Sequence, residues 1–523
     1  MPVSPQLLYF CERLSGFSTN YFKLEPNTST SATAGQILAF DLPANSILNL
    51  PSFSVHFNAH ANHGAAGVGA RLPPVKDLFE RIEVSMGGVI LSQGNNYANV
   101  LSEAKAALTG YTPDTALGHP HTVQSEYYNS HEPALADGAN EENVPASGET
   151  LFSVKAKEME GFMSTAEPRL FDTSIVPDIR VRLYLATDSV LMTSTTVIPG
   201  TAKFSFHDCS KISDVVTAGP PQPEVEKTGA KYIIKDLYAT IECISLADMT
   251  YENVLSSTMA SQGYLEVPFK AYHTFVDTHS GTSRFSVASQ SIDRVWLAWR
   301  DAMYNKQATP VLVQKTSLPV HCRPESMSVK QISSTTEPAT TVTGATVTPA
   351  YGSRVAKARP VKLDTVSKSR YFNFIEPALH PTDLVPASDP ADAGKESYTE
   401  KHQAFGTSTI NWRAQLQLNG AYLPQYSASV EDLYNISMNS LPGRDKRSQT
   451  LATYKLNNCV QCFRLNMPDS EFSRTLSGLD TRAVNLAGYV RTENTLSNQN
   501  LSIFVECTST LRIGAGRAIE LIS

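Results

Sequence analysis

The pattern of apolar and polar residues predicts many short strands. In residues 179–185, apolar side chains alternate with Arg180, Arg182 and Tyr184. Strict alternation lays one face of a strand on a core and leaves the other face half-exposed. Alternating or strongly apolar patterns predict further strands at 37–42, 53–57, 237–243, 263–269, 294–300, 410–418 and 501–507. The chain is therefore predicted to be all-β.

Two segments, 81–93 and 413–425, share one pattern without a gap. In each, alternation leads into a dipeptide, Gly87-Gly88 or Asn419-Gly420, that tolerates positive φ and closes a tight hairpin. The residues that coincide are Arg81 with Arg413, Val84 with Leu416, Met86 with Leu418, Gly88 with Gly420, Leu91 with Leu423 and Gln93 with Gln425. These matches predict the same hairpin in two places.

A helical pattern follows each hairpin, over 97–108 and over 430–441. Leu101 falls on Leu433 at the same offset. The alternative is coincidence, because tight GG and NG hairpins are common. Since the matches extend beyond the turn into the helix, we interpret the chain as two copies of one β-rich domain.

Length agrees with duplication, because 523 residues exceed one ordinary core and suit two domains. We predict a first domain at 1–250, with a short N-terminal arm, and a second at 251–523. A helical linker over 249–260 would join them, and the strand at 501–507 would close the second domain as 237–243 closes the first. The alternative boundary is the proline-rich connector at 215–228, since proline cannot join a central ladder.

A long polar insertion at 302–405 distinguishes the second copy. It carries a Thr/Ser-rich run at 333–348. A compact domain rarely tolerates such a loop unless it packs on a neighbour or projects for a function. We therefore expect the insertion to serve contacts between molecules.

The insertion also contains a basic run at 353–370. Its charged residues are Arg354, Lys357, Arg359, Lys362, Lys368 and Arg370, against one acid, Asp364. The simplest interpretation is a solvated loop. The functional alternatives are genomic DNA, a lipid head group, or the acidic loop at 126–149 of a neighbouring copy. DNA is the weakest of these, because no aromatic residues interleave with the charges as single-strand binders require.

Composition and charge narrow the class of protein. The net charge is −7 and only 18% of residues are charged, so no overall positive field attracts nucleic acid or anionic lipid. No apolar run approaches the roughly 18 residues of a spanning helix, and the apolar residues 7–10 are too few for a signal peptide. Seven cysteines without framework spacing predict free thiols in a reducing compartment.

Histidine clusters are the first candidates for metal binding. His119, His121 and Glu126 fit half of a cupin site, but they lie in a polar acidic loop, without the glycine spacing or the matching later strand of that family. A second group, His56, His60 and His63, alternates poorly with a ligand face. We interpret both groups as ordinary strand-edge or loop histidines.

Other short motifs are equally weak. Cys459 and Cys462 form a lone CxxC, whereas structural zinc needs four ligands, and residues three apart on a strand point to opposite faces. The GxG within residues 512–517 lacks the third glycine of a dinucleotide site and is predicted to be a turn. Glu141 and Glu142 lie in a polar loop, where we expect both carboxylates to be exposed to solvent. We therefore predict no catalytic residue, no metal site, no cofactor and no enzymatic activity.

The features that remain resemble a double jelly-roll major capsid protein. This lineage includes adenoviruses, tailless membrane-containing phages, virophages, polinton-like viruses and nucleocytoplasmic large DNA viruses. The resemblance rests on the two hairpin-helix units, on the strand at 232–246 that leads into a linker, and on the Gly-Tyr-Leu-Glu-Val-Pro opening at 263–268. It covers nearly the whole chain, but it is architectural, and no single motif is diagnostic.

The resemblance implies two tandem eight-stranded jelly-roll β-sandwiches, with short helices after the matched hairpin and the long insertion in the second. Three chains would form a homotrimer, a pseudo-hexameric capsomer that tiles an icosahedral shell around double-stranded DNA. The partners implied are other copies, minor capsid and penton proteins, and an internal membrane or the genome, with no small-molecule substrate. The protein would be made in the host cytoplasm, assembled there or in the nucleus, and found in the virion capsid. The 302–405 insertion would form partly an outward tower and partly a clasp between subunits.

Two alternatives come from other classes. The first is a carbohydrate-binding or glycoside-processing protein with two β-sandwich modules, which exposed aromatic platforms and a cleft with convergent carboxylates would favour. The second is a cupin-type metalloenzyme, which would need stoichiometric metal.

Overall fold

The computed structural model describes most of the strands and helices predicted from the sequence. The residues described are 17–62, 68–91, 96–109, 151–195, 225–226, 229–246, 249–300, 304, 308–309, 327–328, 341–342, 345–346, 357–358, 370–372, 374, 412–441, 451, 454, 458–467, 476–482, 487–495 and 499–523. In this part of the chain no helix is both long and apolar enough to cross a membrane.

Thirteen strands lie in the described residues of the first half of the chain. They are β1 (Phe17–Leu24), β2 (Ala32–Thr33), β3 (Ile37–Asp41), β4 (Ile47–Asn62), β5 (Val68–Arg71), β6 (Phe79–Met86), β7 (Val89–Ile90), β8 (Leu151–Lys155), β9 (Leu170–Asp172), β10 (Ile179–Leu185), β11 (Met192–Thr195), β12 (Val225–Glu226) and β13 (Lys231–Leu246). Three helices accompany them: α1 (Ala98–Thr109), α2 (Phe162–Thr165) and α3 (Met249–Gln262).

The second half begins directly after α3. Its strands are β14 (Tyr264–His279), β15 (Thr282–Phe285), β16 (Ile292–Arg300), β17 (Ala308–Thr309), β18 (Met327–Ser328), β19 (Thr341–Val342), β20 (Ala345–Thr346), β21 (Lys357–Ala358), β22 (Arg413–Leu418), β23 (Ala421–Ser429), β24 (Val460–Arg464), β25 (Gly488–Glu493), β26 (Gln499–Gly514) and β27 (Ile519–Ile522). The helix α4 (Val430–Ser440) follows β23.

Each half forms a sandwich of two antiparallel sheets. In the first half the sheets run β1-β13-β4-β8 and β3-β10-β6-β7, and in the second they run β14-β26-β16-β24 and β15-β25-β22-β23. We letter the eight main strands of each half B to I in chain order. In the first half B to I are β1, β3, β4, β6, β7, β8, β10 and β13, and in the second they are β14, β15, β16, β22, β23, β24, β25 and β26. In both halves one sheet then has the order B-I-D-G and the facing sheet has the order C-H-E-F. This is the jelly-roll order. The prediction of two eight-stranded jelly rolls is confirmed, with β2, β9 and β27 added at the edges.

The matched hairpins occupy the same place in both rolls. Each joins strand E to strand F, with Met86 paired to Val89 in the first roll and Leu418 paired to Ala421 in the second. The turn residues have positive φ in both, +52° and +90° at Gly87 and Gly88 and +47° and +89° at Asn419 and Gly420. A helix follows each hairpin, α1 or α4, as predicted.

Two buried cysteines mark equivalent positions on the two I strands. Cys243 on β13 lies between Asn20 on strand B and Leu48 on strand D. Cys507 on β26 lies between Ala271 on strand B and Ile292 on strand D. This register aligns the two rolls residue by residue, as the sequence likeness between 237–243 and 501–507 predicts.

The 302–405 insertion leaves the second roll between strands D and E. The described parts of it are Tyr304, four two-residue strands that pair as β18 with β21 and β19 with β20, the strand β17, a short 3-10 turn at Arg370–Phe372, and Phe374. β17 pairs with β12 of the first half. The predicted linker is also present as the helix α3. One expectation needs extension, because β26 continues to Gly514 and β27 folds back on it after the 501–507 strand.

Aromatic side chains fill the space between the sheets of each roll. Phe57 on β4 meets Phe79 on β6 edge to face, with ring centroids 5.7 Å apart. In the second roll Trp299 on β16 meets Trp412, just before β22, in the same way at 5.7 Å. Burying an aromatic side chain of this size contributes about 2–3 kcal/mol each. The alternation in 412–418 therefore places Trp412 in the core, as predicted.

Candidate functional site: the contact between the two rolls

A buried ion pair lies on the face of the second roll's B-I-D-G sheet that meets the first roll. The Nη1 of Arg294 on β16 is 2.9 Å from the Oε1 of Glu506 on β26, and the indole Nε1 of Trp296 donates to Oε2 at 3.1 Å. Burial opposes ionisation of Glu506, but Arg294, Lys105 and Lys270 outweigh it and hold its pKa at about 2. Glu506 is therefore ionised at neutral pH although it is only 4% exposed.

Lys105 brings the first roll into this network. It extends from α1, and its Nζ donates to the hydroxyl of Tyr272 at 2.9 Å and to Glu160 at 2.8 Å. The same ammonium lies 4.5 Å from the ring centroid of Tyr272 and 5.6 Å from that of Trp296. An ammonium held over aromatic faces out of water is stabilised by their quadrupoles. Lys105 thus connects the helix of one roll to the outer sheet face of the other.

The connection between strands G and H of the first roll covers strand B of the second. It contains α2 and packs against β14. The contacts are the edge-to-face rings of Phe162 and Phe269 at 5.3 Å, the backbone N–H of Glu167 to the carbonyl of Pro268 at 3.0 Å, and the backbone N–H of Lys270 to the Oγ1 of Thr165 at 2.9 Å. The inner strand β16 of the second roll's B-I-D-G sheet is buried along its whole length, on both faces.

Arg300 lies where the insertion leaves the second roll. Its guanidinium is 4.0 Å from the ring centroid of Tyr304, 5.1 Å from that of Tyr371 and 5.6 Å from that of Tyr97. Its Nη2 donates to the Oγ of Ser502 at 3.0 Å. Burial lowers the pKa of Arg300. Since Tyr97 belongs to the first roll and Tyr304 and Tyr371 to the insertion, one buried cation joins three parts of the chain.

Strand β1 is the most exposed of the main strands. It forms one edge of the first roll's sheet, and its side chains are exposed on both faces, including Phe17 (53%), Tyr21 (68%) and Phe22 (44%). β23 of the second roll also exposes Tyr422 and Tyr426. Exposed aromatic residues at a sheet edge are typical of surfaces that contact other proteins.

A cavity of about 560 Å³ lies at the E–F turn of the first roll. It is lined by Gly87, Gly88 and charged groups that include Asp41, Asp178 and Arg180. Asp41 accepts two hydrogen bonds from Arg180, at 2.6 and 3.2 Å, and these hold the pKa of its carboxyl below the usual value. A glycosidase acid needs a raised pKa. Asp41 is therefore ill suited to the acid role in the carbohydrate alternative.

The histidine candidates do not come together in the described residues. His119, His121, Glu126 and His63 lie outside them, and of His60 only the main chain is described, within β4. The ring nitrogens of His56 lie 2.5 Å from the hydroxyl of Ser153 and 2.8 Å from that of Thr240. Burial lowers the pKa of His56. Among the residues with described side chains, no group of three or more His, Cys, Asp or Glu is placed to hold a metal ion.

The cysteines Cys459 and Cys462 are buried free thiols, as are Cys243 and Cys507 among the described cysteines. Burial raises the pKa of Cys462, and it raises that of Cys507 to about 12. A thiol with so high a pKa is a poor metal ligand and nucleophile. The GxG segment is a turn, as predicted, with Gly516 at φ +72° between β26 and β27.

Glu141-Glu142 lies outside the described residues, as does the 126–149 loop. Of the basic run, the structure describes only the main chain of β21, which contains Lys357, and of Arg370 in a 3-10 turn. The roles of these segments stay predictions.

The sequence does not single out Lys105 or Arg300, because neither lies in a motif. Lys105 is one lysine in an ordinary helical pattern, and Arg300 ends an apolar strand. The available signal was Arg300 itself, a charged residue that closes a strand with apolar residues on both faces. Such a strand end predicts a buried partner, and Tyr304 follows Arg300 closely at the start of the insertion.

The geometry thus defines a double jelly-roll protein whose rolls are joined by buried charges. The sequence matches no protein-family model and no curated protein. Solved structures do match. Over 98% of this chain and 98% of the other, the fold is similar to PBCV-1 VP54, in a crystal structure fitted into a cryo-EM reconstruction of the virophage Sputnik, with 11% identity and a TM-score of 0.51.

Two other virus structures are similar. A quasi-atomic model of the PBCV-1 virus capsid matches with 11% identity and a TM-score of 0.50, over 98% of each chain. The Faustovirus major capsid protein matches with 9% identity and a TM-score of 0.47, over 97% of this chain and 92% of its own. The likeness to the PBCV-1 structures shows the fold. The predicted resemblance to double jelly-roll capsid proteins is confirmed at that level.

Proposed function

We propose that this chain is a structural, non-enzymatic major capsid protein. The observation that carries the proposal is the pair of B-I-D-G and C-H-E-F sandwiches, which matches the PBCV-1 capsid structures over nearly the full length of both chains. We place the division between the rolls near residue 250, and the position of α3 between β13 and β14 supports it. Such a protein acts by association, through large interfaces built from loops and sheet edges.

Three chains form the working unit. Each chain contributes two similar rolls, so a homotrimer presents six of them, the pseudo-hexameric outline that tiles an icosahedral shell around double-stranded DNA. The buried charges around Glu506 and Lys105 support this role, because they fix one roll against the other within each chain. A rigid pair of rolls is a unit that closed symmetry can repeat.

The remaining parts of the chain provide contacts with neighbours. The 302–405 insertion acts partly as an outward tower and partly as a clasp between subunits. Minor capsid and penton proteins bind the capsomer edges, and an internal membrane or the genome lies against the inner face. The protein is made in the host cytoplasm and resides in the virion capsid.

Native mass measurement of the purified chain tests the proposal. We expect a trimer at micromolar concentration, with a pseudo-six-fold outline in electron micrographs. A monomer with no tendency to associate would overturn the capsid function. A glycan array tests the carbohydrate alternative, and specific binding there without trimers would favour it.

A second experiment tests the clasp. Deleting residues 330–370 removes the central part of the insertion while retaining Tyr304 and Tyr371, which pack on Arg300. We expect the variant to fold and to form weaker trimers, which dissociate at a higher protein concentration than those of the full chain. Normal trimers would show that this segment does not act as a clasp.

A further inference from the structure

Strands β1 and β14 are counterparts, and they carry matching residues. Each is the B strand at the edge of its sheet, next to the I strand. In the first roll Tyr21 on β1 lies opposite Glu242 on β13. In the second roll Tyr272 on β14 lies opposite Glu506 on β26. The same tyrosine–glutamate pair therefore stands on the same face of both rolls, one residue from the aligned cysteines.

The surroundings of the two pairs differ completely. Tyr272 and Glu506 are 2% and 4% exposed, because Lys105 and the α2 connection of the first roll cover them. Tyr21 is 68% exposed and Phe17, on the same face of the strand, is 53% exposed. Among the described residues, the first roll thus has an uncovered copy of a surface that is covered in the second.

The second roll has an uncovered copy of the element that does the covering. In the first roll this element is the G–H connection, whose Phe171 pairs with Leu48 at the start of strand D. In the second roll the G–H connection pairs Leu479 with Ile292 at the start of strand D. Three apolar residues of this second connection are exposed: Met467 at 68%, Leu476 at 44% and Leu479 at 37%.

We propose that the face of β1 around Tyr21 binds the second G–H connection of another copy of this chain, through Met467, Leu476 and Leu479. The contact repeats, between chains, the contact that α2 makes on β14 within one chain. The inference rests on the proposed function and adds the two surfaces that associate. Each chain offers one surface of each kind, so the contact is head-to-tail and closes when six rolls, from three chains, complete a ring.

Physical chemistry favours this occupant. An edge strand with exposed aromatic side chains on both faces is an open template for association, which proteins normally cover. Large aromatic residues that become buried at the centre of an interface supply most of its binding energy. Covering Phe17 and Tyr21 with aliphatic side chains removes apolar surface on both partners from water.

Photo-crosslinking from position 21 tests the contact. Benzoyl-phenylalanine replaces Tyr21 in the full chain, and mass spectrometry maps the crosslinks after irradiation. We expect a covalent dimer, with crosslinks to peptides that contain Met467 or residues 476–479 of the other chain. Crosslinks to residues 1–16 of the same chain, or to any other surface, would overturn the inference. The same probe at Tyr426, on β23 and 54% exposed, should give no crosslink to those peptides.

A substitution gives an independent test. Tyr21→Arg places a charge on the contact, whereas Tyr426→Arg changes an exposed tyrosine of another strand. We expect Tyr21→Arg to raise the concentration at which trimers dissociate by about tenfold or more. The melting profile of the monomer should not change. Tyr426→Arg should leave the dissociation concentration unchanged. If the unsubstituted chain is a monomer, the proposed function fails. If it forms trimers that Tyr21→Arg leaves intact, only this inference fails.

Discussion

The ammonium of Lys105 donates a hydrogen bond of 2.9 Å to the hydroxyl of Tyr272, 167 residues further along the chain and on the other roll. It also supports Glu160 and Glu506 electrostatically. Few other positions in the described chain bring both rolls into one polar network. Together with the α2 connection and Arg300, this lysine therefore helps to fix the relative position of the rolls.

Replacing Lys105 with methionine should weaken the fold. The change keeps the aliphatic stem but removes the charge, and with it the hydrogen bonds that Nζ donates to Glu160 and to the Tyr272 hydroxyl. We expect a loss of about 2 kcal/mol in the free energy of unfolding, measured by chemical denaturation. Lys231→Met, at an exposed position on β13, is the matched control and should change little. Equal effects of the two variants would show that Lys105 does not join the rolls.

Arg300→Met tests the tyrosine cluster at the base of the insertion. The guanidinium lies among three rings and bonds Ser502, so its loss leaves these groups without their shared cation. We expect about 2 kcal/mol of destabilisation, seen as a lower melting temperature. Arg482→Met is the control, because Arg482 is 53% exposed and pairs with nearby Asp480 at the surface. A variant as stable as the control would contradict a joining role for Arg300.

His279 should make stability depend on pH. Its ring nitrogens lie 2.6 Å from the hydroxyls of Ser283 and Thr492, and burial lowers its pKa to about 4. His279 binds a proton near pH 6.5 in the unfolded chain, but only near pH 4 in the folded chain. The stabilisation is therefore complete above pH 6.5 and is lost as the pH falls toward 4, by about 3 kcal/mol over the window.

The measurement is the free energy of unfolding between pH 7 and pH 5. We expect His279→Gln to flatten the decline, relative to the unsubstituted chain. His56 and His273 also have lowered pKa values and leave part of the slope in place. An unchanged slope in the variant would rule out His279 as a main source.

The matched turns should respond unequally to alanine. Gly87 and Gly420 both have positive φ, so alanine strains both by about 1 kcal/mol. A Cβ at Gly87 would also lie 2.6 Å from the Cγ of Pro177, whereas one at Gly420 meets nothing within 4 Å. We expect Gly87→Ala to cost roughly 2–3 kcal/mol and Gly420→Ala about 1 kcal/mol in chemical denaturation. Equal costs would mean that Pro177 moves aside freely.

The duplicated architecture was predictable because its signals are local. Alternation around Arg81 and Arg413, and the glycines that close each turn, depend only on neighbouring residues. The likeness of Cys243 and Cys507 likewise predicts equivalent closing strands, and the register confirms it. The local pattern of apolar and polar residues therefore predicts most of the strands and turns of the fold.

The contact between the rolls was not predictable in the same way. Lys105 and Glu506 are ordinary charged residues in sequence, and their burial arises only when the two rolls meet. Even the pairing of Tyr21 with Glu242 and of Tyr272 with Glu506 depends on strand register, which alternation alone leaves open. Long-range packing decides which charges become interior.

The complete burial of β16 has a consequence for how this gene can change. A lone second roll would leave Trp296 and the Arg294–Glu506 pair facing water on a surface shaped for another domain. The two rolls are thus not interchangeable, because only the second has an outer sheet face that the first must cover. Because both faces of β16 are buried, the two rolls can be inherited only as one unit.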